Sequence, residues 1–164
     1  MIKTENKSLL TNKAIPVQLE QKISELLCGA TPLLGVVGDL NLNGRYDESA
    51  VVVCSDRLIA TDKLIENGAI MLLFEDIKKT SVKRLYGNAI FRAEMNDGTF
   101  VDLIRFTYST TDLCDAVADF INRVKDGADI EEQIEIARIT YNNMRCFCPK
   151  CGRKLASPNA ECLN

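Results

Sequence analysis

The hydrophobic pattern changes period twice along the chain. Leu19, Ile23, Leu26 and Leu27 recur at helical spacing, Pro16 suits a first helical turn and Gly29 suits the position just past an end. The spacing predicts a short amphipathic helix over 16–28, preceded by a polar, unpatterned leader over 1–15. Thr31-Pro32 ends it. From Leu33 to Ser109 the apolar runs become short and alternate, with glycine- and asparagine-rich turns between them. Strands are predicted over 33–39, 50–55, 58–61, 69–74, 80–86, 89–95 and 99–108. Their turns fall at Asn43-Gly44, Glu66-Asn67-Gly68, Gly87-Asn88 and Asn96-Asp97-Gly98. The glycines of the first strand permit a bend or bulge. In the last strand Phe100, Leu103 or Ile104, and Phe106 compete for the inward face, so register stays open by one residue.

The period returns to helical after Ser109. Thr110 or Thr111 can cap a helix whose Asp112, Asp115 and Asp119 lie toward its positive end. Its apolar face is Leu113, Val117, Phe120, Ile121 and Val124, Gly127 ends it, and that face is expected to cover the open end of the sheet. A second helix begins at Asp129, where Asp129-x-x-Glu132 resembles a capping box. Ile130, Ile134, Ala137, Tyr141 and Met144 follow a 4-3-4-3 spacing. That seam suits packing back on the β domain or self-association into a homodimer; Ile136 and Ile139 lie off it. The fold class is mainly β with helices (α+β): an antiparallel meander, sandwich or small barrel of about seven strands capped by a C-terminal helix. The expected units are a leader and helix over 1–30, a β domain over 33–127, an amphipathic connecting helix over 128–145, and a cysteine tail over 146–164.

One stretch admits a competing reading. Asp39, Asn41, Asn43 and Gly44 match the opening of a calcium loop. The twelfth position, which needs a bidentate carboxylate, is Ala50, and Val51-Val52-Val53 starts a strand better than a helix. A hairpin turn is expected there, and no calcium.

A length of 164 residues suits one domain plus a small appendage. No apolar run approaches the ~20 residues of a membrane span, and the N-terminus does not resemble a signal peptide, so a soluble, cytoplasmic chain is expected. A net charge of −3 argues against nucleic acid as a main ligand. The chain has no histidine, which removes His-based catalysis and mixed Cys/His metal sites. Adjacent acids such as Asp47-Glu48 and Glu75-Asp76 point to opposite faces of a strand, and a cysteine nucleophile lacks its partner. An enzyme is not expected.

The seven cysteines divide into two groups. Cys28, Cys54 and Cys114 stand singly among apolar residues, as small hydrophobes do. Cys146, Cys148, Cys151 and Cys162 crowd the tail, and Cys148-Pro149-Lys150-Cys151-Gly152 has the form of a zinc knuckle. Cys148, Cys151 and Cys162 are the candidate zinc ligands, with a fourth expected beyond Asn164 or supplied by Cys146.

A bent seven-strand meander with one C-terminal helix is the pattern of pleckstrin-homology-like domains. The chain more closely resembles the cytosolic N-terminal region of a group of bacterial ABC-type exporters. The residues that carry this are Asp39-Leu40, Gly44-Arg45-Tyr46, Glu48-Ser49, Ser55-Asp56-Arg57-Leu58-Ile59, Arg84-Leu85-Tyr86-Gly87-Asn88 and Cys148 to Leu155. Ala50 departs from it, standing where an aromatic is common. The resemblance implies a regulatory or docking domain on the cytosolic face of the membrane. It also implies a zinc ribbon as spacer, with the transmembrane and ATP-binding parts of the same polypeptide as partners. No G-x-x-x-x-G-K-[ST] loop occurs here, so ATP hydrolysis is not expected of this region. The alternative is a stand-alone pleckstrin-like protein- or lipid-binding module that self-associates through 130–144. Anionic lipid is not favoured: the first hairpin is acidic, and Lys78, Lys79, Lys83 and Arg84 form the basic cluster.

Overall fold

The computed structural model describes residues 9–144, so Cys146, Cys148, Cys151 and Cys162 lie outside the described residues. In chain order the elements are β1 (Leu10–Thr11), α1 (Val17–Leu27), β2 (Leu34–Leu40), β3 (Tyr46–Val53), β4 (Arg57–Thr61) and β5 (Ala69–Leu73). They continue as β6 (Ile77–Arg84), β7 (Asn88–Met95), β8 (Phe100–Thr107), α2 (Thr111–Lys125) and α3 (Ile130–Met144). The α+β class and the antiparallel meander hold. The strands run in the order β5-β4-β3-β2-β8-β7-β6, and β1 adds to β2 in parallel. The edges β5 and β6 do not pair, so the sheet is open and not a barrel.

Two arms meet at β2 and β8 through one ladder pair, Leu40 with Arg105. Side chains reinforce that joint. Asp39 accepts the Thr107 backbone N–H at 2.9 Å and the Thr107 hydroxyl at 2.5 Å. Arg105 donates to the Leu42 carbonyl at 3.0 Å and to Asn88 Oδ1 at 2.7 Å. Gly38 permits the approach, since a Cβ there would lie 2.7 Å from Ser49 Oγ and 3.1 Å from the Arg105 carbonyl.

Elsewhere the β8-side edge of β2 is satisfied piece by piece. Leu10 of β1 donates to the Leu33 carbonyl at 3.0 Å. The Asn12 amide pairs with Val37 as a strand would, accepting its N–H at 2.9 Å and donating to its carbonyl at 3.0 Å. The Tyr141 hydroxyl of α3 donates to the Gly35 carbonyl at 2.9 Å. The leader is therefore not loose from Leu10 onward, and Leu10 and Ile15 are buried.

Burial on both faces explains the unbroken apolar run in β3. Val51 and Val53 join Leu34, Val36, Leu58, Phe91 and Phe106 in the main core between the arms. Ala50 and Val52 turn the other way, toward Ile23, Leu19 and Leu26 of α1. The open register of β8 has a definite answer. A bulge falls at Leu103, because Phe91 pairs with Ile104 and Arg92 with Asp102, so both Leu103 and Ile104 are buried while Phe100 is exposed. Helix α1 ends one residue before the predicted boundary, with Cys28 in the left-handed region at φ 50.

Helix α2 runs along edge strand β6 and turns Leu113, Val117, Phe120 and Ile121 into the main core. Its Asn122 accepts the Thr80 N–H at 2.7 Å and donates to the Thr80 carbonyl at 2.9 Å, so one side chain again stands in for a neighbouring strand. Helix α3 is capped by Asp129, whose Oδ2 accepts the Glu132 N–H at 3.0 Å. It returns along α2 to place Tyr141 on β2.

If that contact holds α3 in place, Tyr141→Phe is expected to lose about 1 kcal/mol of stability for one hydrogen bond. Tyr141→Ala is expected to lose roughly 3 kcal/mol for the emptied aromatic site. Urea unfolding checks both; a Tyr141→Ala variant as stable as the parent would contradict the packing.

Candidate docking groove

The acidic first turn comes first among the sequence candidates. Asn41 Oδ1 accepts the N–H groups of Asn43 and Arg45 at 3.0 and 3.2 Å, and the Asn41 carbonyl accepts the Gly44 N–H at 2.8 Å. Gly44 has φ 83, so Leu42-Asn43-Gly44 is a three-residue hairpin loop with glycine in the left-handed position. The Asp39 and Asn41 oxygens that begin the calcium pattern thus face protein donors. Among the described residues no group of three or more Cys, Asp or Glu is placed to hold a metal ion.

The reactive groups are mostly engaged or buried. Asp47 pairs with Lys63 at 3.1 Å, and Glu48 accepts from Gln18 at 2.9 Å. Lys78 pairs with Glu94 at 3.5 Å and Arg84 with Asp115 at 2.7 Å; Lys79 and Lys83 are exposed. Burial, with some help from Asp56, pushes the Cys54 thiol up to about 11. Burial likewise holds the Cys114 thiol well above its ordinary value. Cys28 alone of these three is exposed.

Asp62 stands apart. It is 1% exposed in the loop after β4, its Oδ1 accepts the Leu64 N–H at 2.8 Å, and its Oδ2 has no partner among the described residues. Burial raises its pKa and Asp47 adds to that; the Leu64 and Leu42 N–H groups oppose it.

The seam of α3 turns inward. Ala137 and Tyr141 are buried, Ile130 and Ile134 pack partly buried against the main core, and Met144 closes the helix. Ile136 and Ile139 remain outside, 44% and 64% exposed.

Between α2 and α3 lies a groove of about 370 Å³. Asp112, Asp115 and Asp119 line it from α2, one helical face apart by three and four residues, with Arg123 farther along. Gln133, Ile136, Thr140 and Asn143 line it from α3, over a floor that includes Ala116, Phe120 and Ala137. Arg84 engages Asp115. Gln133 is the residue that sequence reading missed. It is only 7% exposed, held in the groove wall by the packing of α3 on α2. The groove is acidic and flanked by isoleucine.

No helix among the described residues is long and apolar enough to cross a membrane. No protein-family profile matches the chain, and no curated protein matches it.

Two expectations follow. Because the folded pKa of Asp62 is raised, the folded state keeps a proton that the unfolded chain has lost, and stability falls as pH rises from about 4 through that folded value. Asp62→Asn is expected to gain stability over the parent at neutral pH and little at acid pH; an equal change at both would contradict it. Thiol labelling with peptide mapping at neutral pH is expected to mark Cys28 quickly and Cys54 and Cys114 only on unfolding. Fast labelling of Cys114 in the native chain would contradict its burial.

Proposed function

We propose that this chain is the non-catalytic docking and regulatory domain of a larger ABC-type membrane exporter. In this reading a pleckstrin-like β domain on the cytosolic side precedes the membrane-spanning and ATP-binding parts of the same polypeptide. The observation that carries the reading is the path of the sheet. Seven antiparallel strands run as a meander, fold back at the β2–β8 joint, and are followed by a helix packed on the core. That is the arrangement the sequence resemblance implies for residues 33–127.

Docking is favoured over catalysis because the acids and thiols that chemistry would use are paired, turned to backbone donors, or buried. Anionic lipid is disfavoured on similar grounds: Lys78 and Arg84 of the basic cluster already face carboxylates. A stand-alone module that self-associates through 130–144 would have to use Ile136 and Ile139, since Ala137 and Tyr141 of the seam face the core.

The tail supplies the donor chemistry of a zinc ribbon. Cys148, Cys151 and Cys162, with Cys146 or a residue beyond Asn164 as fourth ligand, would hold a structural zinc as thiolates. Such a ribbon would stiffen the connection toward the membrane.

The test is to follow the natural reading frame past Asn164 and assay the longer protein for metal. The expected result is an apolar span, then a phosphate-binding glycine loop, and one zinc per chain that Cys148→Ser removes. A stop codon close after Asn164 would overturn the exporter reading, and a metal-free extended protein would overturn the ribbon.

A further inference from the structure

We infer that the free edge of β5, from Ala69 to Leu73, is a docking site for an extended peptide of a partner protein, which adds to the sheet as a further strand. The occupant is apolar along its middle and carries a lysine or arginine at the end that lies beside Glu75 and Asp76. This stands whether or not the chain belongs to an exporter.

Backbone hydrogen bonding is the first argument. Strand β5 ends the sheet and pairs only with β4. The Asp62 N–H donates to the Gly68 carbonyl at 3.2 Å and the Phe74 N–H to the Asp56 carbonyl at 2.9 Å, which sets the phase of that antiparallel ladder. Ile70 and Leu72 therefore turn their N–H and C=O groups to β4, while Ala69, Met71 and Leu73 turn theirs away. Those outward groups have no hydrogen-bond partner among the described residues. Both faces of the strand are nonetheless packed, Ile70 and Leu72 on the main core and Met71 on α1. The strand is held in position, and only its edge is open.

The other edges are the second argument. Edge strand β6 is met by Asn122 of α2 and carries Lys78, Lys79 and Lys83. The second edge of β2 is met by β1, Asn12 and Tyr141. Charges, prolines and covering side chains are the usual means of keeping a sheet edge from pairing. Ala69-Ile70-Met71-Leu72-Leu73 has no charged residue and no proline, and its outward residues are half-buried.

Charge selects the occupant. If two copies of β5 paired about a two-fold axis at Met71, Ala69 would match Leu73, and Glu66 would face Asp76 at both ends. Like charges directly opposite disfavour that pairing. At the Leu73 end lies a cavity of about 410 Å³, with Leu73, Phe74 and Val124 beside Arg57, Glu75 and Lys125. Arg57 is held by Asp56 at 3.0 Å and Lys125 by Asp126 at 3.2 Å. Glu75 and Asp76 are exposed and form no ion pair among the described residues. A strand laid along β5 ends at this cavity, so one of its apolar side chains enters and a basic neighbour meets the carboxylates. In such strand addition the main-chain bonds supply affinity and the pocket supplies specificity.

The full chain, labelled with nitrogen-15, is first followed by amide hydrogen exchange without ligand. The Ala69, Met71 and Leu73 amides are expected to exchange fast and those of Ile70 and Leu72 slowly. Slow exchange at the outward amides at every concentration overturns the proposal, because the chain then covers its own edge. Slow exchange that appears only on concentrating the chain places a second copy there and overturns it as well. A displayed library of random peptides about seven residues long, enough to span the edge at strand rise, is then selected on the full chain. Enriched peptides are expected to be apolar in the middle and basic at one end, and to shift and protect the amides of Ala69, Met71 and Leu73. N-methylation of alternate peptide amides in the bonding phase should weaken binding at least about tenfold, and in the other phase little. Glu75→Lys/Asp76→Lys should weaken it about tenfold. Ala69→Pro, which removes an N–H that β4 does not use, should weaken it with the other sheet amides in place. A library that yields no such peptide, equal loss in both methylation phases, or shifts confined to other surfaces overturns the proposal.

Discussion

The structure turns on the second edge of β2. One edge pairs with β3 from Leu34 to Leu40, but the other meets β8 at a single ladder pair. A buried backbone group without a partner costs about 1–3 kcal/mol, so the rest of that edge must be met from elsewhere. Two separate pieces of chain meet it, the β1–Asn12 segment and the Tyr141 hydroxyl, while at the joint the Asp39 carboxylate takes up the Thr107 N–H of β8. The sparse pairing is tied to the core. Splaying the arms at β2 and β8 leaves room between them for Phe91, Phe106 and Phe120. A fuller β2–β8 ladder would bring the arms together and exclude those rings.

This constraint accounts for the placement of the helices. Helix α1 covers the outer face of β2 to β5, which otherwise would leave Val37, Val52 and Ile59 in water. Helix α2 seals the β6 edge through Asn122, and α3 crosses it to deliver Tyr141 to β2. With α3 pinned by Tyr141 near one end and capped by Asp129 at the other, its spacing from α2 is fixed. The small side chains Ala116 and Ala137 then leave a groove where larger ones would fill it. The groove is thus a by-product of holding β2 together.

Much of the meander was legible because hairpins are local. Asn43-Gly44 and Asn96-Asp97-Gly98 mark their turns through the glycine φ that each loop needs, 83 at Gly44 and 88 at Gly98. What period-two reasoning could not resolve was Leu103 against Ile104, since a bulge lets consecutive residues share a face. The β1 and Asn12 contacts were hidden for a different reason. They depend on a strand edge, more than twenty residues away, whose partner count no local pattern reveals. The seam of α3 was visible as a seam, but a 4-3-4-3 spacing does not say what it faces. Gln133 gave no signal because glutamine on a helix is ordinarily solvated, and only the packing of α3 on α2 buries it.

The same packing separates the acids by what they can do. Asp39 and Asp47 sit beside donors that use their charge within the fold, and Asp62 is buried away from water. Asp112 and Asp119 are exposed beside an apolar floor and meet no cation of the described chain. Exposed charge alone would be an ordinary solvated face. Here it borders the apolar rim at Ile136 and the floor of Ala116, Phe120 and Ala137. Among the described residues the fold uses the charge of that face only at Asp115, through Arg84.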